Sequence, residues 1–263
     1  MKAAEQFIKD LLQRGRYSFT IEEAARQLGK EGQALNTALQ RLKQAGWIVP
    51  FSRGFYLALD AQHQGVGILD PAWFIDDWAR HVRAAYYVGG LSAAALHGAA
   101  HQRPMQFQVF ADRQLRTVKR RGVQLVVFYK KRIPDSGREK RKSPAGYFYV
   151  SRPELTAYDL IAYPRCCPSL DHAATVLVEL AEALDADRLV RLAESAGDRA
   201  VWQRVGWLLE RLNWPEKAGS LTAVLAKRRC GWVPLEPRLP AKGTRNRRWS
   251  IIENSDIQPD IER

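Results

Sequence analysis

Apolar positions in the first sixty residues fall into three helical stripes and then two short aromatic or β-branched runs. Phe7, Ile8, Leu11 and Leu12 share one face of a helix over residues 3–13, the spacing of a helix buried on one side. A second helix, Ile21 to Leu28, begins after Thr20 and stops at Gly29. The Thr20 hydroxyl can accept from an orphan amide, and Glu23 stands three residues on in the capping-box position. After the turn Gly29-Lys30-Glu31-Gly32, a third stripe of Leu35, Ala38, Leu39 and Leu42 runs until Gly46 closes it. Residues 47–51 and 55–59 flank Ser52-Arg53-Gly54, a glycine-bearing hairpin signal.

That order of helix, tight turn, helix and aromatic hairpin predicts a winged helix-turn-helix over residues 1–60. A short polar stretch, 60–67, carries Gly65 and Gly67 and marks a domain joint, with His63 as a joint residue. Asp70-Pro71 then starts a helix whose stripe is Trp73, Phe74, Trp78 and Val82. A strand at 86–88 runs through Gly89-Gly90 into a helix at 93–97, and further strands are expected at 105–110, 123–128 and 147–150. Ser151 caps a helix at 154–162, followed by helices at 171–183, 186–196, 199–211 and 216–229, with bundle stripes such as Val176, Leu177 and Leu180. The expected class is α+β: a winged helix-turn-helix, then a mixed domain with a small sheet and a C-terminal helical bundle over residues 68–230. Residues 231–263 read as a basic and then acidic tail, partly flexible, with the last ten or so poorly ordered.

Charge sharpens this picture. The chain of 263 residues has a formal net charge of +13 and a pI near 9.9, which favours a polyanionic partner. Residues 1–60 hold nine basic and six acidic side chains, so the excess lies elsewhere: positions 113–142 hold twelve Lys or Arg against Asp135 and Glu139 alone. Arg113, Arg116, Lys119, Arg120 and Arg121 begin this group, and Lys130, Lys131 and Arg132 with Arg138, Glu139, Lys140, Arg141 and Lys142, around Pro134-Asp135-Ser136-Gly137, read together as a mobile loop between paired strands. No apolar run of membrane-spanning length and no signal peptide is present, giving the expectation of a cytoplasmic protein with no membrane partner, monomeric or weakly dimeric. Cys166, Cys167 and Cys230 lack both zinc-site spacing and an even disulfide count.

The candidate chemistry is recognition. The polar face of the third helix carries Gln33, Asn36, Thr37, Gln40, Arg41 and Lys43. In this motif the second helix of the pair enters the major groove through its N-terminal half, so Gln33, Asn36, Thr37 and Gln40 are the expected base contacts. Arg41, Lys43, the hairpin-tip Arg53 and the group Lys130, Lys131, Arg132, Lys140, Arg141 and Lys142 are the expected phosphate contacts. No catalytic residue, metal or cofactor is expected. His97 and His101 stand four apart, but Gly98 interrupts the helix and no Glu accompanies them. The Gly89-Gly90 turn and the strand after it resemble the start of the DNA polymerase beta-like nucleotidyltransferase motif, yet Gln106 and Gln108 stand where that motif has two carboxylates. A neutral amide does not supply the charge that Mg²⁺ needs, and Asp112 lies one strand step too far along. A related core would be one that has lost its metal site.

Taken together, Arg53-Gly54-Phe55-Tyr56, the run Gly90-Leu91-Ser92-Ala93-Ala94-Ala95-Leu96-His97-Gly98, the run Ser151-Arg152-Pro153-Glu154-Leu155-Thr156-Ala157-Tyr158-Asp159-Leu160 and Val205-Gly206-Trp207-Leu208-Leu209-Glu210 resemble the AbiEi-family antitoxins of type IV toxin-antitoxin systems over roughly residues 5–230. The resemblance implies a non-enzymatic repressor whose winged helix binds double-stranded repeats in its own operon's promoter. It also implies a C-terminal domain that counters a nucleotidyltransferase-like toxin. Two alternatives stay open at this stage. One is a winged-helix regulator that answers to a small ligand without a toxin; the other is an active nucleotidyltransferase using Asp112.

Overall fold

The computed structural model describes residues 2–66, 69–99, 104–120, 122–195, 198–227 and 230–260. It is a mixed α+β protein with several sheets, and it divides into two compact units. The first holds residues 1–87, 105–133 and 140–149, and the second residues 88–104, 134–139 and 150–263.

The first unit begins with α1 (Lys2–Gln13), β1 (Ser18–Thr20), α2 (Ile21–Leu28), α3 (Gly32–Gln44), β2 (Ile48–Ser52) and β3 (Phe55–Ala58). The three apolar stripes meet as the sequence predicts. Phe7, Ile8 and Leu11 of α1, Ala24 of α2, Leu35, Leu39 and Leu42 of α3, and Phe19 and Ile48 of the strands form one buried core. The strands make an antiparallel sheet of order β1-β3-β2, with Phe19 opposite Tyr56 and their rings stacked at 5.4 Å. Thr20 caps α2 by accepting from the Glu23 amide at 3.2 Å, a bond of about 1 kcal/mol. The reciprocal half of the capping box is absent, because the Glu23 carboxylate pairs with the Arg16 guanidinium.

Residues expected as the joint contain α4 (Ala61–Val66). Asp70 caps a 3₁₀ turn, Pro71–Trp73, through the Ala72 amide, and α5 (Ile75–His81) follows with Ile75, Trp78 and Ala79 buried. Next come β4 (Tyr86–Val88), α6 (Gly90–Leu96), β5 (Phe107–Ala111), β6 (Val118–Arg120), β7 (Val123–Tyr129), β8 (Arg138–Ser143) and β9 (Gly146–Ser151). The strands form a six-stranded sheet of order β6-β7-β5-β4-β9-β8, in which β5 and β7 run parallel. Tyr87, Phe110 and Phe128, on three neighbouring strands, stack with successive centroid spacings of 5.1 Å. One expectation is corrected here: Arg138 to Lys142 are not loop but strand β8, at the sheet edge. Its alternation exposes Lys140 and Lys142, and exposed lysines on an edge strand discourage pairing with another chain.

The second unit is mainly helical: α7 (Pro153–Ala162), α8 (Leu170–Leu180), α9 (Ala186–Ser195), α10 (Arg199–Arg211) and α11 (Pro215–Ala226). Helix α7 is buried almost all round, including the polar Glu154, Thr156 and Asp159. Burial of such groups requires partners, and Glu154 accepts from the Asp185 amide at 2.8 Å while Thr156 bonds the Ser151 hydroxyl at 2.7 Å. The Ser151 cap is therefore a second correction. Arg152 occupies the cap position without a side-chain bond, and Ser151 closes β9 instead.

The tail is the third correction. Residues 233–253 form β10 (Val233–Pro234), β11 (Thr244–Asn246) and β12 (Ile251–Glu253), a sheet of order β10-β12-β11. Leu235, Trp249, Ile251 and Ile257 are buried, and too far apart to register as a periodic stripe. Trp249 packs against α10 at Gly206, where an added Cβ would stand 2.1 Å from the indole. The Gln203 amide donates to the carbonyls of Gly231, Trp249 and Ser250, and Arg204 donates to that of Pro234. Even beyond Ile257, the Asp260 amide donates to Thr175.

Candidate nucleic-acid interface

The exposed face of helix α3 follows from its buried one. Leu35, Leu39 and Leu42 face the core of α1 and α2, so Gln33, Asn36, Thr37, Gln40, Arg41 and Lys43 all point to solvent. Gly29 makes the turn before it possible by holding the left-handed conformation at φ +60°, with its amide closing α2 onto Ala25. No acidic side chain lies within α3 itself. Thr37 donates to the Gln33 carbonyl at 2.9 Å, so its hydroxyl is left with acceptor capacity alone. The asparagine and glutamine amides offer the paired donor and acceptor that an adenine edge matches.

The hairpin beside this helix is held from outside itself. A bulge between Pro50 and Ser52 and the left-handed Gly54, φ +71°, bring Arg53 to the tip with its guanidinium exposed. Helix α5 supplies three struts. His81 Nε2–H donates to the Arg53 carbonyl at 2.9 Å, Trp78 Nε1 donates to Ser52 Oγ at 3.2 Å, and Ser18 donates to Asp77 at 2.6 Å. The Phe55 and His81 rings lie 5.3 Å apart, and Phe51 packs edge-on to Phe74 at 4.8 Å. Asp77, Trp78 and His81 were not legible as site residues, since the stripe in which Trp78 sits reads as ordinary core.

The second basic group separates by environment. Lys131, Arg132, Lys140 and Lys142 are exposed. Lys130 is half-buried: its ammonium donates to the Tyr87 hydroxyl at 2.9 Å and lies 5.5 and 5.6 Å from the Tyr87 and Phe110 ring centres. Arg141 is also half-buried, and Lys140 lies 5.8 Å over the Tyr149 ring. Arg113 is committed to the Val82 carbonyl at 2.7 Å. Arg121 lies outside the described residues.

Residues weighed for phosphoryl or metal chemistry have structural partners. Asp112 accepts from the Ala85 amide at 3.0 Å, and Gln108 is buried in β5. His97 Nε2–H donates to the Ser151 carbonyl at 2.7 Å, tying α6 to the end of β9, while His101 lies outside the described residues. Among the described residues no group of three His, Cys, Asp or Glu side chains could hold a metal ion. The Tyr86 phenol, buried and hydrogen-bonded to Asp76, is pushed far above its ordinary value first by desolvation and then by that carboxylate. Burial likewise pushes the Cys167 thiol up to about 12. Neither group is primed as a nucleophile or base. No helix among the described residues is long and apolar enough to cross a membrane.

No curated protein sequence matches the chain. The solved RV2827C protein from Mycobacterium tuberculosis shares its fold, with a TM-score of 0.70 at 19% identity, covering 97% of this chain and 92% of that one. Residues 87–211, which run from the end of β4 through α10, match the family model of the AbiEi antitoxin C-terminal domain. Over those residues the chain is similar to the AbiEi antitoxins.

Proposed function

We propose that the chain is a non-enzymatic, cytoplasmic antitoxin that binds double-stranded promoter repeats of its own operon, represses it, and counters a nucleotidyltransferase-like toxin. Residues 1–60 act as a winged helix-turn-helix. Gln33, Asn36, Thr37 and Gln40 read base edges, while Arg41, Lys43 and Arg53 grip phosphates on either side. Lys131, Arg132, Lys140 and Lys142 add contacts that any sequence provides. The toxin half of this reading is supported by the AbiEi domain at residues 87–211.

The observation that carries the DNA half is the α3 face. Six polar or basic side chains stand exposed together on a helix without a single acid, presented by a left-handed glycine turn and flanked by a hairpin with an arginine at its tip. A solvated helix face of no function would be expected to mix charges of both signs. A reporter gene placed behind the chain's own upstream DNA tests repression. Wild type is expected to silence it, and the Asn36→Ala, Gln40→Ala double variant to release it at equal protein level. Equal reporter output with both proteins would remove the autorepressor reading.

A further inference from the structure

We propose that the outward face of the C-terminal sheet, around Trp232 and Arg245, is a binding site for single-stranded nucleic acid. It lies outside the residues matched by the antitoxin domain and uses none of the side chains assigned to duplex recognition above.

The sheet has two unlike faces. On the inner one, Ile251 is buried and Glu253 accepts from the Trp207 indole at 2.8 Å and from Asn246 at 3.1 Å. Side chains alternate along a strand, so Ile252 turns outward, and the register sets Arg245 opposite it. Trp232, just before β10, is 42% exposed, and the Arg245 guanidinium lies 5.3 Å from its ring centre. An indole left so open on a folded sheet is costly to hydrate. Its neighbour is the one cation that stacks flat on an aromatic ring.

The basic residues here also divide by use. Arg238 is paired with Glu236 and Arg248 with Glu210, which settles the charge around the inner face. Lys242, Arg245 and Arg247 are exposed and have no ion-pair partner among the described residues. Arg245 stands on β11 itself, with Lys242 before the strand and Arg247 in the turn after it. The turn before β11 is fixed in place, because a Cβ on Gly243 would stand 2.0 Å from the Glu253 carbonyl oxygen. Unpaired cations beside an exposed indole–guanidinium pair are an arrangement that binds single strands: phosphates meet the cations, and a base stacks on the open indole. A duplex would offer the phosphates but keep its bases inside.

The test uses the full chain and fluorescence anisotropy of short labelled oligothymidylate and oligouridylate, with duplex DNA and polyglutamate as competitors. Wild type is expected to bind a single strand in a salt-sensitive manner. Trp232→Ala and Arg245→Ala are each expected to weaken it at least about fivefold, the lower bound for one stacked base. The Asn36→Ala, Gln40→Ala variant should bind single strands like wild type, which separates this site from the winged helix. The two oligonucleotides differ in the 2′-hydroxyl and in the thymine methyl, and a preference for either supports the site. Wild-type affinity in both Trp232→Ala and Arg245→Ala would overturn the proposal. So would absence of single-strand binding, or equal displacement by polyglutamate, which would instead assign the face to an acidic protein.

Discussion

Lys130 and its neighbours Lys131 and Arg132 show how much a residue's role depends on what its charge already touches. Adjacent in sequence, they read as one basic cluster. Lys130 directs its ammonium to Tyr87 and to the faces of two stacked rings, whereas Lys131 and Arg132 extend into solvent. Two different outcomes are expected. Lys130→Met should lower thermal stability by about 1–2 kcal/mol, because a hydrogen bond and a cation–π interaction disappear, with little change in the salt dependence of DNA binding. The Lys131→Ala, Arg132→Ala pair should leave the melting curve in place. It should weaken binding to all sequences alike and flatten the salt slope by about one for each phosphate no longer gripped. Melting and salt-titrated binding on the same preparations check both. Residue types alone do not separate these cases, because the partner of Lys130 is a ring forty-three positions back along the chain.

At the scale of elements, helices such as α1 and α3 were legible from periodicity because each buries one clear stripe, whereas α4 reads as a joint. Strands β8 and β10 to β12 were not legible. Strand β8 reads as a loop because five of its six residues are charged, a composition an edge strand tolerates and a central one does not. Strands β10 to β12 are two or three residues long and leave no alternation to detect.

The brace between α5 and the hairpin was likewise hidden, since bonds such as that from His81 to the Arg53 carbonyl join side chain to backbone across the chain. That brace makes a prediction of its own. His81→Ala should quicken amide exchange at residues 52–55 and weaken binding to all DNA modestly, through a less fixed Arg53, while base preference set by α3 stays. Hydrogen exchange and competition binding measure the two effects separately.

The C-terminal sheet adds a pH-dependent one. Hydrogen bonds from Arg238, helped by the charge of Arg204, hold the Glu236 carboxyl below its ordinary value against the opposing cost of burial. A carboxyl depressed in the folded state contributes stability above its unfolded value, and that contribution is lost as pH falls through the folded one. Exchange over residues 233–253 should therefore rise with acidification below the ordinary carboxylate range. In Glu236→Gln it should already be raised at neutral pH and respond less to acid.

For the whole molecule, the α+β class and the order of most elements followed from patterning, while the way the C-terminal sheet completes the second unit did not. The buried Trp249 is the reason. Its packing on Gly206 joins residues forty-three apart in sequence, and only the folded chain shows why α10 carries a glycine in its middle. The proposed division of labour puts sequence reading on α3 and sequence-independent grip on the hairpin tip and the basic strands. The most direct test measures the affinity of wild type and of the Asn36→Ala, Gln40→Ala variant for the chain's own upstream DNA and for a scrambled duplex, across a salt titration. The account predicts that wild type prefers the upstream DNA, and that the variant gives up about 1–3 kcal/mol of that preference for each base it no longer reads while its salt slope stays the same. An unchanged preference in the variant, or no preference in the wild type, would contradict it.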